Sequence, residues 1–472
     1  MPHSPRPALL VVLCAATASL VLLLGVALPA AAQSFPTDSA VLSIIRQRVE
    51  EGRSKGIVVG LIDADGRTRI VAYGDPGPGK LPLDGNSVFE IGSITKVFTG
   101  TLLAQMVLAG EVALDDPAQK YLPAGVTLPT RNGKEITLAS LAEQNSALPR
   151  LPANMAPKDM ANPYADYTVQ QMYDFLSGHT LRRDPGEQFE YSNLGVGLLG
   201  HLLALRSGKS YEEAQRERIW TPLGMTRTAI TLTPWMTEHL ALGHDAEGKV
   251  VSNWDLPTLA GAGAIRSTTT DMLKFLAANL RTDRGPLGKA MALAHEQRAP
   301  AGNATNRIGL NWIHRITGAD TITWHNGGTG GYRAFAGFVA SKRMGVVVLT
   351  NSGGAGADDI GFHLLVPRLP LAPRPTPPTV RTAITLGAEV LARYVGEYQL
   401  APEFAITITM VDGSLFLQAT GQGRLQLWPE AEARFFLKEV DAQVTFVKDA
   451  EGVVTSLVLH QNGQDVPGRK VK

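Results

Sequence analysis

Between Pro367 and Pro378 the chain reads PRLPLAPRPTPP, six prolines in twelve residues. Proline lacks a backbone N–H and fixes φ, so this stretch can be neither a helix nor a central strand. It favours a stiff, extended linker, and folding must proceed separately on its two sides. The full length of 472 residues suits two or three domains. The sequence is therefore divided into a leader (1–32), a large domain (33–366), the proline linker (367–378) and a small C-terminal domain (379–472).

The leader reads as a signal peptide. Arg6 gives a thin positive start, an apolar run follows from Ala8 to Leu28, and Ala30-x-Ala32 fits the small-residue cleavage rule. Cleavage is expected after Ala32. The same run is also long enough to act as an uncleaved membrane anchor. Cys14, the one cysteine, lies inside it, and Leu13 before it is not the small residue that lipid attachment wants. After cleavage no thiol remains, which excludes disulfides, a cysteine nucleophile and thiolate metal sites. The expectation is a secreted or periplasmic protein with no stable membrane span. Hydrophobic residues at 44% and charged residues at 18% allow a large core and argue against disorder. A net charge of +1 with no basic stripe gives no reason to expect a nucleic-acid partner.

The pattern of the large domain is mixed. Apolar runs at 56–63 and 68–73 around Ala64-Asp65-Gly66 predict a hairpin. A second is predicted from 332–339 and 345–350, turning at 341–344. Helices are expected at 93–109, 194–205 and 271–280, the last with Thr269 or Thr270 as N-cap. Strands at both ends with helices between predict one antiparallel sheet closed by both termini beside a helical region: an α+β fold. In the C-terminal piece Phe404, Ile406, Ile408 and Met410 alternate with smaller or polar residues. Asp412-Gly413 supplies hairpin chemistry, and further strands are expected at 424–427, 443–448 and 453–460. This predicts a small all-β barrel or sandwich with no catalytic cluster.

Three short motifs carry chemistry. Ser93-Ile94-Thr95-Lys96 is the one S-x-x-K in the chain. A serine hydroxyl needs a base to become a nucleophile, and residues three apart on a helix share a face. The first turn also offers free N–H groups to developing negative charge. A capping serine with a surface lysine would look the same, but Phe89, Ile91, Ile94, Val97 and Phe98 bury this turn, and a buried lysine needs a reason. Tyr191-Ser192-Asn193 is the one Y-x-N. A tyrosine between cations can have a lowered phenol pKa and shuttle a proton, and the Asn193 amide can bond both a lysine and a substrate carbonyl. The same three residues also suit a helix start, with Ser192 or Asn193 as cap. His325-Asn326-Gly327-Gly328-Thr329-Gly330-Gly331 has four glycines in seven residues, which lets a ligand approach the backbone or makes a flexible approach to a hairpin.

In that order, the three motifs resemble the class C β-lactamase and penicillin-binding-protein-like serine hydrolases, a family that includes D-Ala-D-Ala peptidases and β-lactamase-like carboxylesterases. The resemblance runs from about Ser39 to Ser352. It extends to Leu114-Asp115-Asp116-Pro117, Lys120-Tyr121-Leu122-Pro123, Pro185-Gly186 and the WTPLGM stretch from Trp220 to Met225. It implies that Ser93 is acylated, that Lys96 and Tyr191 share general-base work, and that Asn193, His325, Asn326, Gly327, Gly328 and Thr329 contact substrate. The N–H groups of Ser93 and Gly328 would form the oxyanion hole. Tyr394-Val395-Gly396-Glu397-Tyr398 resembles the start of a lipocalin-like barrel appended to such hydrolases. Three departures stand out. His325 replaces the lysine of class C enzymes, as in the peptidase branch. Asn326 replaces threonine or serine. Gln144-Asn145-Ser146-Ala147-Leu148-Pro149 stands where many relatives have a histidine-threonine-serine-glycine run.

Other chemistries find no support. There is no G-x-S-x-G elbow and no H-E-x-x-H. Gly195-x-Gly197-x-x-Gly200 falls inside an apolar helix without a leading strand, and is read as close helix packing rather than a dinucleotide loop. Asp115-Asp116 and Asp358-Asp359 are read as solvated or capping carboxylates. No metal and no cofactor is expected. The expected partner is a small molecule: a β-lactam, a peptidoglycan stem peptide or an ester. The reading is a secreted acyl-transfer hydrolase of β-lactams or D-Ala-D-Ala peptides. The alternatives are a carboxylesterase with the same machinery or a penicillin-binding sensor acylated once.

Overall fold

A computed structural model describes residues 34–472 apart from 284, 355, 375–380, 402–403, 421–422, 439 and 462–463. The proposed signal peptide and the last third of the proline linker lie outside the described residues. The chain forms two compact units, Met1–Ala372 and Pro373–Lys472.

The first unit is built on one eight-stranded antiparallel sheet. Its strands are β1 (Gly56–Ile62), β2 (Thr68–Gly74), β5 (Ala299–Ala301), β6 (Asn303–Ile308), β7 (Ile313–Thr317), β8 (Asp320–Gly328), β9 (Arg333–Val339) and β10 (Met344–Thr350), in the order β2-β1-β10-β9-β8-β7-β6-β5. β3 (Val88–Glu90) and β4 (Arg266–Thr268) make a separate pair. The two ends of the domain meet where β1 pairs with β10, Ile57 opposite Thr350 and Ile62 opposite Gly345. The period of two sends Ile57, Val59 and Leu61 to one face and Val58 and Ile62 to the other. Because both faces are covered, every residue of β1 is buried, and its sequence is a continuous apolar run.

Helices α1 (Asp38–Glu50) and α6 (Asp358–Leu365) cover one face through Val41, Ile45, Ile360 and Leu365. The other face carries the larger core and α2 (Thr95–Leu108), α3 (Asn193–Ser207), α4 (Ala260–Gly263) and α5 (Thr269–Asn279). α2 is apolar almost all round, as a helix at the centre of a core should be. Phe98 on it stacks on Phe275 of α5, ring centroids 3.9 Å apart. The glycines of α3 are packing glycines. A Cβ on Gly197 would stand 2.6 Å from the Leu259 side chain, and one on Gly200 would stand 2.8 Å from the Gly261 Cα, so α3 and α4 touch backbone to backbone.

Two boundaries differ from expectation. The helix predicted at 93–109 begins with a 3-10 turn over Gly92–Ile94, because Gly92 takes φ +50 and sets the chain in a tight corner before α2. The cap of α5 is Thr268, whose side chain accepts from Asp271 N, one residue earlier than predicted. β5 to β7 had no clear sequence signal.

The second unit is a closed barrel of eight antiparallel strands, β11 (Gly396–Ala401), β12 (Phe404–Val411), β13 (Ser414–Ala419), β14 (Arg424–Ala431), β15 (Arg434–Phe436), β16 (Ala442–Lys448), β17 (Val454–Gln461) and β18 (Gln464–Lys470), with β18 returning to β11. Closure removes the sheet edges. Asp412 and Gly413, at φ 48 and 72, make the β12–β13 turn that their chemistry predicts. Ile406 and Ile408 point into the core, whereas Met410 is 40% exposed where the strand leaves it. Tyr394, Tyr398, Phe435 and Phe446 pack together in the core.

Candidate active site

The three motifs converge between the start of α2, the start of α3 and the end of β8. Ser93 and Lys96 lie at the corner that opens α2. Ser93 is partly exposed, whereas Lys96 is completely buried among apolar side chains. Lys96 Nζ lies 3.0 Å from Ser93 Oγ, 2.9 Å from Asn193 Oδ1 and 2.7 Å from the Ala262 carbonyl oxygen. Burial, and then the charge of Arg150, pull its pKa well below that of an ordinary lysine. A neutral amine has two N–H donors and one lone pair. The two carbonyl oxygens use both donors, which leaves the lone pair for the Ser93 hydroxyl proton.

Tyr191 and Asn193 are set by the cap of α3. Ser192 Oγ accepts from Gly195 N at 2.8 Å and donates to Pro149 O at 2.6 Å. The Ser192 N–H donates to Gln144 Oε1 at 2.7 Å, and the Asn193 N–H to Arg150 O at 3.0 Å. The Tyr191 phenol bonds the Ser93 hydroxyl, and its ring lies 4.8 Å from Lys96 Nζ and 5.1 Å from the Arg150 guanidinium carbon. The expected fall in its pKa is reversed. Burial outweighs the Ser93 bond and the Arg150 charge, and raises it to about 12. The Tyr191 phenol therefore keeps its proton at neutral pH.

The third motif is not a loose approach to a hairpin. His325 to Gly328 form the last four residues of β8, and Thr329 begins the turn to β9. A Cβ on Gly327 would stand 1.9 Å from Ile91 O and 3.2 Å from Ser93 N, and one on Gly92 would stand 2.7 Å from Gly328 N. Only glycine lets this strand end lie against the Ser93 corner. His325 is buried, its Nδ1–H donating to Asn326 O at 2.6 Å and its ring 6.3 Å from that of Tyr191. Burial and the Lys96 amine push its pKa down to about 3, so it is neutral at pH 7. Asn326 turns to the opposite face of the sheet, where its Nδ2 donates to Asp358 Oδ2 at 2.6 Å.

The three motifs leave out several partners. Gln144 and Arg150 hold the Tyr191–Asn193 segment, Ala262 O binds Lys96, Tyr164 bonds Asn193, and Asp358 bonds Asn326. Gln144 opens the stretch that departs from the family resemblance and Arg150 follows it, but the other groups act from distant loops or through the backbone. Asp358 is not a solvated carboxylate. Burial raises its pKa to about 6. No group of three His, Cys, Asp or Glu side chains among the described residues is placed to hold a metal ion.

Residues 41–365 match the beta-lactamase family. The chain belongs to that family. Residues 380–470 match a domain of unknown function, DUF3471. The chain is 33% identical over 311 residues to the D-alanyl-D-alanine-carboxypeptidase/endopeptidase AmpH of Escherichia coli, covering 62% of this chain and 79% of that one. It is 27% identical over 357 residues to a beta-lactamase of Pseudomonas fluorescens, covering 68% and 94%. A crystal structure of a beta-lactamase/D-alanine carboxypeptidase from Yersinia pestis superposes with a TM-score of 0.59 at 25% identity, covering 67% of this chain and 92% of that one. The relatives make this a β-lactamase-like serine hydrolase family, with an all-β barrel after the β-lactamase domain.

Proposed function

We propose that this chain is a secreted hydrolase that forms an acyl-enzyme on Ser93 and acts on β-lactams or on peptides ending in D-Ala-D-Ala. The observation that carries the reading is Lys96, fully buried, with Nζ within hydrogen-bond reach of Ser93 Oγ at 3.0 Å as well as of Asn193 Oδ1 and Ala262 O. In the acylation step Ser93 Oγ attacks the substrate carbonyl carbon and its proton passes to Lys96 Nζ. The N–H groups of Ser93 and Gly328 receive the developing oxyanion. The C–N bond then breaks as the Tyr191 phenol delivers a proton to the leaving nitrogen, and Tyr191 is recharged from Lys96. In deacylation, water attacks the ester carbonyl, gives a proton to the same pair, and Ser93 leaves as the alcohol. Asn193 holds Lys96 and faces the substrate amide. The Ala30-x-Ala32 leader supports export. The relatives named for carboxypeptidase and beta-lactamase activities support the two substrate classes.

The test is turnover of nitrocefin, a D-Ala-D-Ala peptide and a p-nitrophenyl ester side by side, with intact-mass detection of the adduct. Ser93→Ala abolishes labelling by fluorescent penicillin on this reading. An adduct on another serine sinks it, and labelling without turnover of any of the three substrates identifies a sensor instead.

A further inference from the structure

α4 is four residues long, too short to hold its own place, and its last carbonyls have no partner inside the helix. Two of them are met by side chains of α2. Lys96 Nζ lies 2.7 Å from Ala262 O, and Thr99 Oγ1 lies 2.7 Å from Gly261 O. Just beyond, the Ile265 N–H donates to Thr95 Oγ1 at 3.1 Å. Thr99 therefore sits one turn along α2 from Lys96 and holds the carbonyl next to the one that Lys96 holds. Its bond to Gly261 O is shorter than its 3.3 Å approach to Thr95 O, the usual partner of a threonine inside a helix.

The Thr99 hydroxyl is the last link of a buried chain. Tyr211 Oη lies 2.7 Å from Thr99 Oγ1, and Gln215 Nε2 lies 3.0 Å from Tyr211 Oη. All three residues lie outside the three sequence motifs. The direction of each bond follows from the carbonyl end. Gly261 O can only accept, so Thr99 donates to it. Thr99 then accepts from Tyr211, and Tyr211 accepts from the Gln215 amide. Burial raises the Tyr211 pKa, so its proton stays in place. Bonds aligned in one direction polarise and strengthen one another. Thr99 and Gln215 are fully buried, and Gln215 Oε1 has no hydrogen-bond partner among the described residues. An apolar residue of similar size would avoid that penalty, so the donation to Tyr211 is what the amide contributes.

We propose that Gln215, Tyr211 and Thr99 are positioning residues that fix α4 and, through its Ala262 carbonyl, hold the Lys96 amine against Ser93. The proposal rests on the acyl-hydrolase reading, in which Lys96 takes the Ser93 proton. A lysine amine rides on a flexible four-carbon stem and does not place itself. Here it is clamped by two carbonyl oxygens, Asn193 Oδ1 from α3 and Ala262 O from α4. A shift of α4 moves half of that clamp, and a misplacement of about 1 Å at a reacting group costs on the order of 10²-fold in rate. Thr99 and Gln215 have no exposed surface with which to meet a substrate. The relay therefore acts on the chemical step and leaves affinity alone.

The experiment follows acylation of the full chain by fluorescent penicillin in stopped flow, which separates the acylation rate constant from the pre-covalent affinity. Thr99→Val keeps the shape and removes the hydroxyl. It lowers the rate constant about tenfold or more and changes the pre-covalent affinity by less than about twofold. Thr99→Ser restores the rate constant to within about threefold of the parent. Tyr211→Phe lowers it by about three- to tenfold. The variant carrying both Tyr211→Phe and Thr99→Val is no slower than Thr99→Val alone, because both changes cut one chain. Losses that multiply in the double variant overturn the relay, as does a Thr99→Ser enzyme as slow as Thr99→Val. A lower urea midpoint with an unchanged rate constant shows that the hydroxyls serve the fold alone and also overturns it. If Thr99→Val does not fold, the rate constant of Tyr211→Phe decides in the same way. Intact-mass detection of the adduct on Ser93 in the parent protein reads the acyl-hydrolase assignment separately. A labelled parent with unchanged variants refutes the relay alone, and an unlabelled parent refutes the assignment.

Discussion

Lys96 Nζ lies 4.8 Å from the centre of the Tyr191 ring, and the same burial drives the two groups in opposite directions. The amine is pulled well below its usual pKa and the phenol is raised to about 12. Desolvation penalises whichever form is charged, so a cation loses its proton and an anion gains one. Burial thus favours the neutral amine and the neutral phenol on either side of the Ser93 hydroxyl. On the proposed mechanism, that is the direction in which an acylating serine needs its two neighbours shifted.

Lys96→Ala leaves Ser93 without an acceptor for its proton. General-base catalysis contributes about 10²–10⁴-fold, and the acylation rate with fluorescent penicillin should fall by that order while the protein keeps a cooperative melt. A fall of less than about tenfold would mean that another group takes the proton.

Tyr191→Phe keeps the ring and its contacts but removes the proton that reaches the leaving nitrogen. Amide and β-lactam substrates should lose about 10²-fold in kcat, and a p-nitrophenyl ester much less, because its leaving oxygen departs without a proton. In the parent enzyme kcat/KM rises with pH as Lys96 loses its proton. Tyr191 adds no falling limb below its value of about 12. His325, neutral down to about 3, adds no inflection near 6.5. A bell with a basic limb near pH 8 that disappears in Tyr191→Phe would show that the phenol works as an anion.

Local patterns in the sequence mark the parts of this site that follow from spacing. Ser93 and Lys96 share a face through an i, i+3 relation, and Tyr191–Asn193 doubles as a helix start capped by Ser192, so both are legible in the order of residues alone. The apolar runs at both ends of the first unit likewise announce that β1 and β10 meet. The direction of the Tyr191 shift is not legible, because cations can be counted along a sequence but desolvation depends on what the fold packs around the ring. The carbonyl of Ala262 and the carboxyl of Asp358 are hidden for a related reason. They act through contacts 166 and 32 residues away in sequence.

Ala147 carries a conformational cost. It sits at φ +64 in the stretch that backs the Tyr191 segment. A residue with a Cβ costs about 1–2 kcal/mol in that region, whereas glycine adopts it freely but loses about 0.5–1 kcal/mol more backbone entropy on folding. Ala147→Gly should therefore stabilise the protein by up to about 1 kcal/mol, read as a raised urea midpoint at unchanged slope. Destabilisation would show that the methyl group, 7% exposed, contributes more packing than its conformation costs.

Stability in acid should be set by histidines. Burial lowers the pKa of His295 to about 3, of His314 to about 4 and of His325 to about 3, from an ordinary 6.5. The unfolded chain binds protons at these sites below about pH 6.5 while the folded chain does not. Each therefore contributes stability that is present above 6.5 and is lost as pH falls toward its folded value, at about 1.4 kcal/mol per pH unit. Asp358 runs the other way. Its folded pKa of about 6 lies above the unfolded value, so the folded state holds the extra proton between roughly pH 4 and 6 and gains stability there. Glu90, also raised by burial, adds to that opposing side. His179 and His201 are also lowered by burial, so the histidines outweigh the two carboxyls and unfolding takes up a net proton or more near pH 5. Urea unfolding followed by tryptophan fluorescence reads mainly the first unit, which holds five of the six tryptophans. Its free energy should fall steadily from pH 6.5 to 4.5, and His295→Asn should flatten the slope by about one proton. A flat or rising profile over that range would mean that one of these histidines is protonated in the folded state, with His314 the first to examine because its Nε2 is buried without a hydrogen-bond partner.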